Sequence, residues 1–373
     1  MRNHSSTFSK SIFGLGLIAI MLALTSCASF EARTLPVTHV SADDEALAYS
    51  GRHEVTAPGQ VSVGYSGARV RMRFEGDAIT LRATSDTDQN FLKAWLDGEP
   101  LEKFQLDSAK GVYRLANSLG EGVHTLEVMR LTECFLGLVN FQGFEIAGEG
   151  ARVLPWGDLE DRRIEFIGDS ITCGYGVEVD DPLLSFEPSS ENFSLNYSHL
   201  AARELGADFL VVARSGIGMT RNYDGPFEGS EGDMPDNYPN TFYENEEYTW
   251  DFSRYTPDVV CINLGTNDFS VGGVNVETYV NDYVAFASKA LDRYPEAQLV
   301  VILGPMNNSE ELKAALQRVV ATLQESEPDR VNFIELSAQG ELGYGADYHP
   351  NQAQSKVNAA ELSAFLSDLM DWR

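Results

Sequence analysis

The sequence predicts two architectures in tandem: an antiparallel β-sandwich of jelly-roll type over residues 48–150, then a doubly wound α/β domain with a parallel sheet over 151–373. Three observations carry this. Between 48 and 147, short β-prone runs follow one another closely with no helical stretch between them. Gly148, Gly150, Pro155 and Gly157 then punctuate a junction. Beyond it, five β-rich runs alternate with helical stretches, the pattern of parallel strands joined by covering helices.

Residues 1–27 read as an export signal. Arg2 and Lys10 form a basic start, and Ile12 to Leu24 is an apolar core shorter than the ~20 residues of a bilayer span. Leu24-Thr25-Ser26-Cys27 resembles a bacterial lipobox. That resemblance implies cleavage before Cys27 and lipidation of its thiol. Ala28 after the cysteine points to the outer membrane of a Gram-negative cell, on its periplasmic or outer side. A plain secretory signal cut nearby is the alternative. Residues 28–47 are expected to be a tether.

In the sandwich, Val70, Met72 and Phe74 alternate with Arg69, Arg71 and Arg73, as on a strand with one buried face. Further strands are expected at 79–81, 91–96, 124–129 and 138–146. Asp97-Gly98 is a hairpin signal. The domain is either a glycan-binding face or a packing partner; its one tryptophan, Trp95, is read as packing.

In the second domain strands are expected at 164–167, 209–213, 259–264, 299–303 and 331–336. Helices are expected at 194–205, 276–294, 310–324 and 352–370, with Val357, Leu362, Phe365, Leu366 and Leu369 on the apolar stripe of the last. Residues 219–255 interrupt this order with a long acidic and aromatic stretch. It is either a wall of the cleft or a separate aromatic cluster.

The net charge of −29, from 27 basic and 56 acidic residues, argues against a nucleic-acid partner. A neutral polysaccharide would not be repelled. Beyond Cys27, three cysteines remain: Cys134, Cys173 and Cys261. An odd number leaves at least one thiol free, and Cys173 and Cys261 are expected to be buried. No Cys/His cluster has metal-ligand spacing, so neither metal nor cofactor is expected.

Parallel sheets place ligands at the carboxyl ends of their strands. That rule puts Ser170, residues 214–218, residues 265–268 and Pro305-Met306 on one rim, with Asp347 and His349 within reach. A serine hydroxyl needs a base to act as a nucleophile. Of six histidines, His349, set before Pro350, is the best placed. Asp347, two residues earlier, would face the same side of an extended turn and bond one imidazole nitrogen. The backbone N–H groups of Ser170 and Gly218 and the side-chain amide of Asn267 would receive an oxyanion.

Gly168-Asp169-Ser170, Gly218, Gly265-x-Asn267-Asp268 and His349-Pro350 are similar to the four blocks of the SGNH, or GDSL-type, hydrolases. The resemblance implies a flavodoxin-like sheet and a Ser–His–Asp esterase mechanism. One departure stands out: Ala346 occupies the usual position of the triad aspartate, three residues before the histidine, and Asp347 lies one later. That variant, the preceding sandwich, Trp250-Asp251-Phe252-Ser253 and the run 168–176 resemble carbohydrate esterase family 2. Membership implies removal of acetyl groups from plant polysaccharides such as xylan and glucomannan. It also implies a His349 partner that is either Asp347 or a backbone carbonyl. Tyr175, Trp250 and Met306 are expected to face the substrate. Two alternatives stay open: an esterase of the same fold acting on longer acyl chains, and a glycan-binding protein without catalysis.

Overall fold

The protein is described by a computed structural model over residues 35–157 and 160–372. The signal, Cys27 and residues 28–34 of the expected tether lie outside the described residues. No helix among those described is long and apolar enough to cross a membrane.

Alternation builds the first domain. Val70, Met72 and Phe74 of the Arg69–Glu75 strand are buried in a core shared with Leu81, Leu92, Val128 and Phe141. That core lies between antiparallel sheets of six and seven strands. The expected tether is corrected here: Val37–Ser41 is a strand, paired antiparallel with Val139–Ala147 from Val37 opposite Ala147 to Ser41 opposite Gly143. Only Val40 of the five is buried, so the strand is held by main-chain pairing, which leaves little hydrophobic pattern. The junction also belongs to the sandwich, since Arg152–Leu154 pairs with Arg69–Glu75.

The second domain has a five-stranded parallel sheet. In chain numbering its strands lie in the order 2-1-3-4-5: Asp208–Ala213, Arg163–Gly168, Val259–Asn263, Gln298–Leu303 and Val331–Glu335. This is the flavodoxin-like order. Successive strand residues bury themselves on opposite faces. Ile167, Val212, Ile262 and Val301 pack with the helices Val276–Arg293 and Glu310–Gln324. Phe166, Val211, Cys261 and Val300 pack with Tyr197–Glu204 and Gln352–Met370. Val357, expected on the last helix's stripe, is exposed.

The two domains form one compact unit, Leu35–Arg373. Two of the three arginines that alternate along the sandwich strand, Arg69 and Arg71, face the hydrolase domain instead of water. Arg69 and Arg71 are buried, and both pair with Asp208, Arg71 at 3.3 Å. The Arg69 guanidinium also lies 3.6 Å from the centre of the Phe209 ring. Arg52, fully buried, pairs with Glu165 at 3.6 Å and donates to the Asn240 carbonyl at 2.6 Å. Trp95 packs against the hydrolase core.

Residues 219–255 fold over this junction. They form a short hairpin, Asn240–Phe242 with Asn245–Thr249, and bury Tyr238, Phe242 and Trp250. Trp250 does not face a substrate, correcting that expectation: it lies in the core beside Arg52, whose guanidinium is 5.6 Å from its ring.

Candidate active site

The topological switch of a 2-1-3-4-5 sheet lies between its first and third strands, and the site residues gather at that crevice. The Arg163–Gly168 strand ends where a Cβ on Gly168 would collide with Thr172. Asp169 then caps a single helical turn, Ser170–Cys173, by accepting from Ile171 N at 3.0 Å. Ser170 opens this turn, so its own N–H has no partner within it.

His349 reaches the same point from the other end of the chain. Its Nε2 lies 2.8 Å from Ser170 Oγ. Its Nδ1 lies 3.1 Å from both the Ala346 and Asp347 carbonyl oxygens. Carbonyls only accept, so the ring proton sits on Nδ1, and Nε2 is left to accept from the serine hydroxyl. Burial pushes the imidazole pKa down to about 4, against the upward pull of the two carbonyl bonds. The ring is therefore neutral at neutral pH.

Asp347 does not bond the imidazole with its carboxylate, which corrects the triad read from spacing. The turn is not extended: Asp347 and Tyr348 both have left-handed backbones, φ 46° and 60°. This rotates the Asp347 side chain away, where Oδ2 accepts from Tyr175 Oη at 2.7 Å and Phe186 N at 2.9 Å. Tyr175 lies against the imidazole, with ring centres 4.1 Å apart, and stacks on Phe186 at 4.3 Å. Asn351 caps the helix that follows, accepting from Gln354 N at 3.0 Å.

The oxyanion donors divide. Asn267 is buried against Asp169, the residue before the nucleophile, its Nδ2 2.8 Å from the Ile217 carbonyl and 3.4 Å from Asp169 Oδ2. The Gly218 N–H is engaged by Asn222 Oδ1 at 3.0 Å and so is not a free donor. Gly218 is required for another reason: a Cβ there would collide with the Arg221 carbonyl. Asp268 pins the same loop, accepting N–H bonds from Met219, Thr220 and Arg221 at 2.8–3.0 Å. Met306, half-buried at the sheet rim, packs on the hydrolase core.

Two residues that sequence reasoning passed over complete the surroundings. Glu133, from the sandwich, and Glu191 are buried next to Cys173, their ligand-type atoms within 4.8 Å of one another. Neither sits in a motif or a periodic pattern. Cys134, Cys173 and Cys261 are all buried free thiols.

Residues 49–156 match the carbohydrate esterase 2 N-terminal family, and residues 166–357 match the GDSL-like lipase/acylhydrolase family. Among characterised proteins, the chain is 36% identical over 335 residues to cellulase/esterase CelE of Acetivibrio thermocellus. That match covers 88% of the chain and only 40% of the relative's length. It is 27% identical over 366 residues to an acetylxylan esterase/glucomannan deacetylase of Cellvibrio japonicus, covering 97% of the chain and 100% of that protein. A family two carbohydrate esterase from Clostridium thermocellum, solved with cellohexaose, superposes with a TM-score of 0.83 at 34% identity, over 88% of this chain and 100% of that one. Another, from Cellvibrio japonicus, superposes at 0.82 with 27% identity, over 90% and 99%.

Proposed function

The chain belongs to carbohydrate esterase family 2, and from that membership we propose that it is a serine esterase removing O-acetyl groups from plant polysaccharides of the acetyl xylan and acetyl glucomannan type. The observation that carries the reading is the 2.8 Å contact between Ser170 Oγ and His349 Nε2. A nucleophile, a neutral base and an amide donor meet there at one strand crevice.

In this mechanism Ser170 Oγ attacks the acetyl carbonyl carbon as His349 Nε2 takes its proton. The imidazolium is stabilised by the Ala346 and Asp347 carbonyls through Nδ1–H, in place of a carboxylate. Negative charge on the acetyl oxygen is received by the Ser170 N–H and by the Asn267 amide, which keeps one N–H on Ile217 O and turns the other from its long 3.4 Å contact with Asp169 Oδ2. Collapse expels the sugar oxygen, which takes the proton from His349. Water then adds to the acetyl-enzyme by the same base, releasing acetate and restoring Ser170.

The relatives named for acetylxylan and glucomannan support this substrate class, as does the relative solved with cellohexaose. The acidic chain suits a neutral glycan. The lipobox-like Leu24-Thr25-Ser26-Cys27 supports an exported enzyme anchored by a lipid on Cys27, facing the periplasm or the cell exterior. Acetate release from a panel of acetylated polysaccharides tests the activity. Release from xylan or glucomannan that is lost in Ser170→Ala supports it; preference for long acyl esters, or glycan binding without release, contradicts it. Radiolabelled palmitate incorporated by wild type but not by Cys27→Ala tests the anchor, and equal labelling contradicts it.

A further inference from the structure

The loop at 215–218 carries the Ile217 carbonyl that orients Asn267, so its placement matters to the reaction. It is held at both ends by buried carboxylates. Asp268, within the hydrolase domain, binds the residues that follow it. The other end is held from the sandwich. Ser215 N donates to Glu133 Oε2 at 2.6 Å, and the Ser215 hydroxyl donates to Glu133 Oε1.

Glu133 Oε2 has a second donor. Cys173 Sγ, on the turn that Ser170 opens, approaches it at 3.7 Å. One carboxylate thus touches both the nucleophile's turn and the 215–218 loop. Its own backbone is fixed in turn: its N–H donates to Glu191 Oε2 at 3.0 Å, and its carbonyl accepts from the buried Arg130.

Glu191 sits behind this arrangement. Its Oε1 is buried and meets no donor. Such an atom is costly as a carboxylate oxygen and inexpensive as a hydroxyl that donates to a neighbouring carboxylate. Burial, together with the charge of Glu133, pushes the Glu191 pKa well up. Burial raises the Glu133 carboxyl as well, against the Ser215 hydrogen bonds that hold it down. Arg130 and Arg214 are the cations facing the pair; Asp169, Cys134, Cys173 and Tyr175 are the other titratable neighbours.

We propose that Glu133 of the sandwich domain is a positioning residue for the deacetylation assigned above, its carboxylate clamping the 215–218 loop to the Ser170 turn. The sandwich is then a part of the catalytic framework, and its attachment to the hydrolase domain bears on kcat. The proposal rests on the esterase reading of the Ser170 site.

The test uses the full chain with 4-nitrophenyl acetate. Glu133→Gln places an NH2 either at Oε2, opposing Ser215 N–H and Cys173 S–H together, or at Oε1, facing the Ser215 hydroxyl, and in both cases removes the charge that strengthens the hold on the loop. A displacement of about 1 Å at the loop would lower kcat about 10²-fold, with KM unchanged. Melting temperature measured alongside separates this from a role in folding. Ser215→Ala removes one donor and creates no buried charge, so it reports even if Glu133→Gln does not fold; its kcat should fall about fivefold. Wild-type kcat in folded Glu133→Gln, or in Ser215→Ala, overturns the proposal. So does stoichiometric metal in purified wild type that is absent from Glu133→Gln, because Glu133 would then be a ligand. Wild type inactive on this ester and on acetylated polysaccharides overturns the esterase reading itself.

Discussion

His349 is oriented by the main chain of Asp347 and not by its side chain. Nδ1 lies 3.1 Å from the Asp347 carbonyl oxygen, while the carboxylate turns 2.7 Å from the Tyr175 hydroxyl. The base is therefore aligned by dipoles that no side-chain substitution removes.

Asp347→Asn should cost less than about tenfold in kcat/KM, because the carbonyl contact survives and Asn tolerates a left-handed backbone. A carboxylate that oriented the imidazole would cost about 10⁴-fold on the same change. Steady-state kinetics on 4-nitrophenyl acetate separates the two outcomes.

The pH profile follows from the buried imidazole. A base must be deprotonated, so kcat/KM rises as pH rises through the pKa of His349. Burial places that pKa near about 4, below the usual 6.5. The acid limb should accordingly fall near pH 4, with activity still full at pH 6. A limb at 6.5 would show an imidazole exposed to water.

Tyr175 tests the cause of that shift. Its ring lies 4.1 Å from the imidazole, centre to centre. Tyr175→Ala admits water to the ring, so the acid limb should move from about 4 toward 6.5. Tyr175→Phe keeps the cover and should leave the limb in place. The pH dependence of kcat/KM for both variants reads this directly.

The domain junction carries stability. Asp208 receives Arg69 and Arg71 from the sandwich, and all three are buried. Asp208→Ala removes one partner from each guanidinium, while Arg69 keeps Glu127 at 3.5 Å and Arg71 keeps Glu160 at 2.8 Å, so it should destabilise the chain by about 1–3 kcal/mol. Urea unfolding of the full chain measures it, with kcat per folded molecule little changed.

Much of this was legible in the sequence, and the exceptions share a physical origin. Strand-end placement brought Ser170, Asn267 and His349 together because an apolar run ending in Gly168 is a local signal. The alternation at 69–74 gave the strand but not what its polar face meets, since arginines facing a buried Asp208 and arginines facing water spell the same pattern. Asp347 was misread because two successive left-handed residues turn its side chain, and nothing in Ala-Asp-Tyr-His encodes them. Val37–Ser41 and Glu133 owe their places to main-chain pairing and to a contact across some eighty residues, neither of which has a periodic signature.

The central claim is a covalent acetyl on Ser170, formed with His349 as base. Rapid-quench mass spectrometry of the full chain turning over 4-nitrophenyl acetate measures it. The expected result is one acetyl group on the peptide that contains Ser170, absent from Ser170→Ala and strongly reduced in His349→Ala. An acetyl group on another residue, or undiminished acetate release by Ser170→Ala, would contradict it.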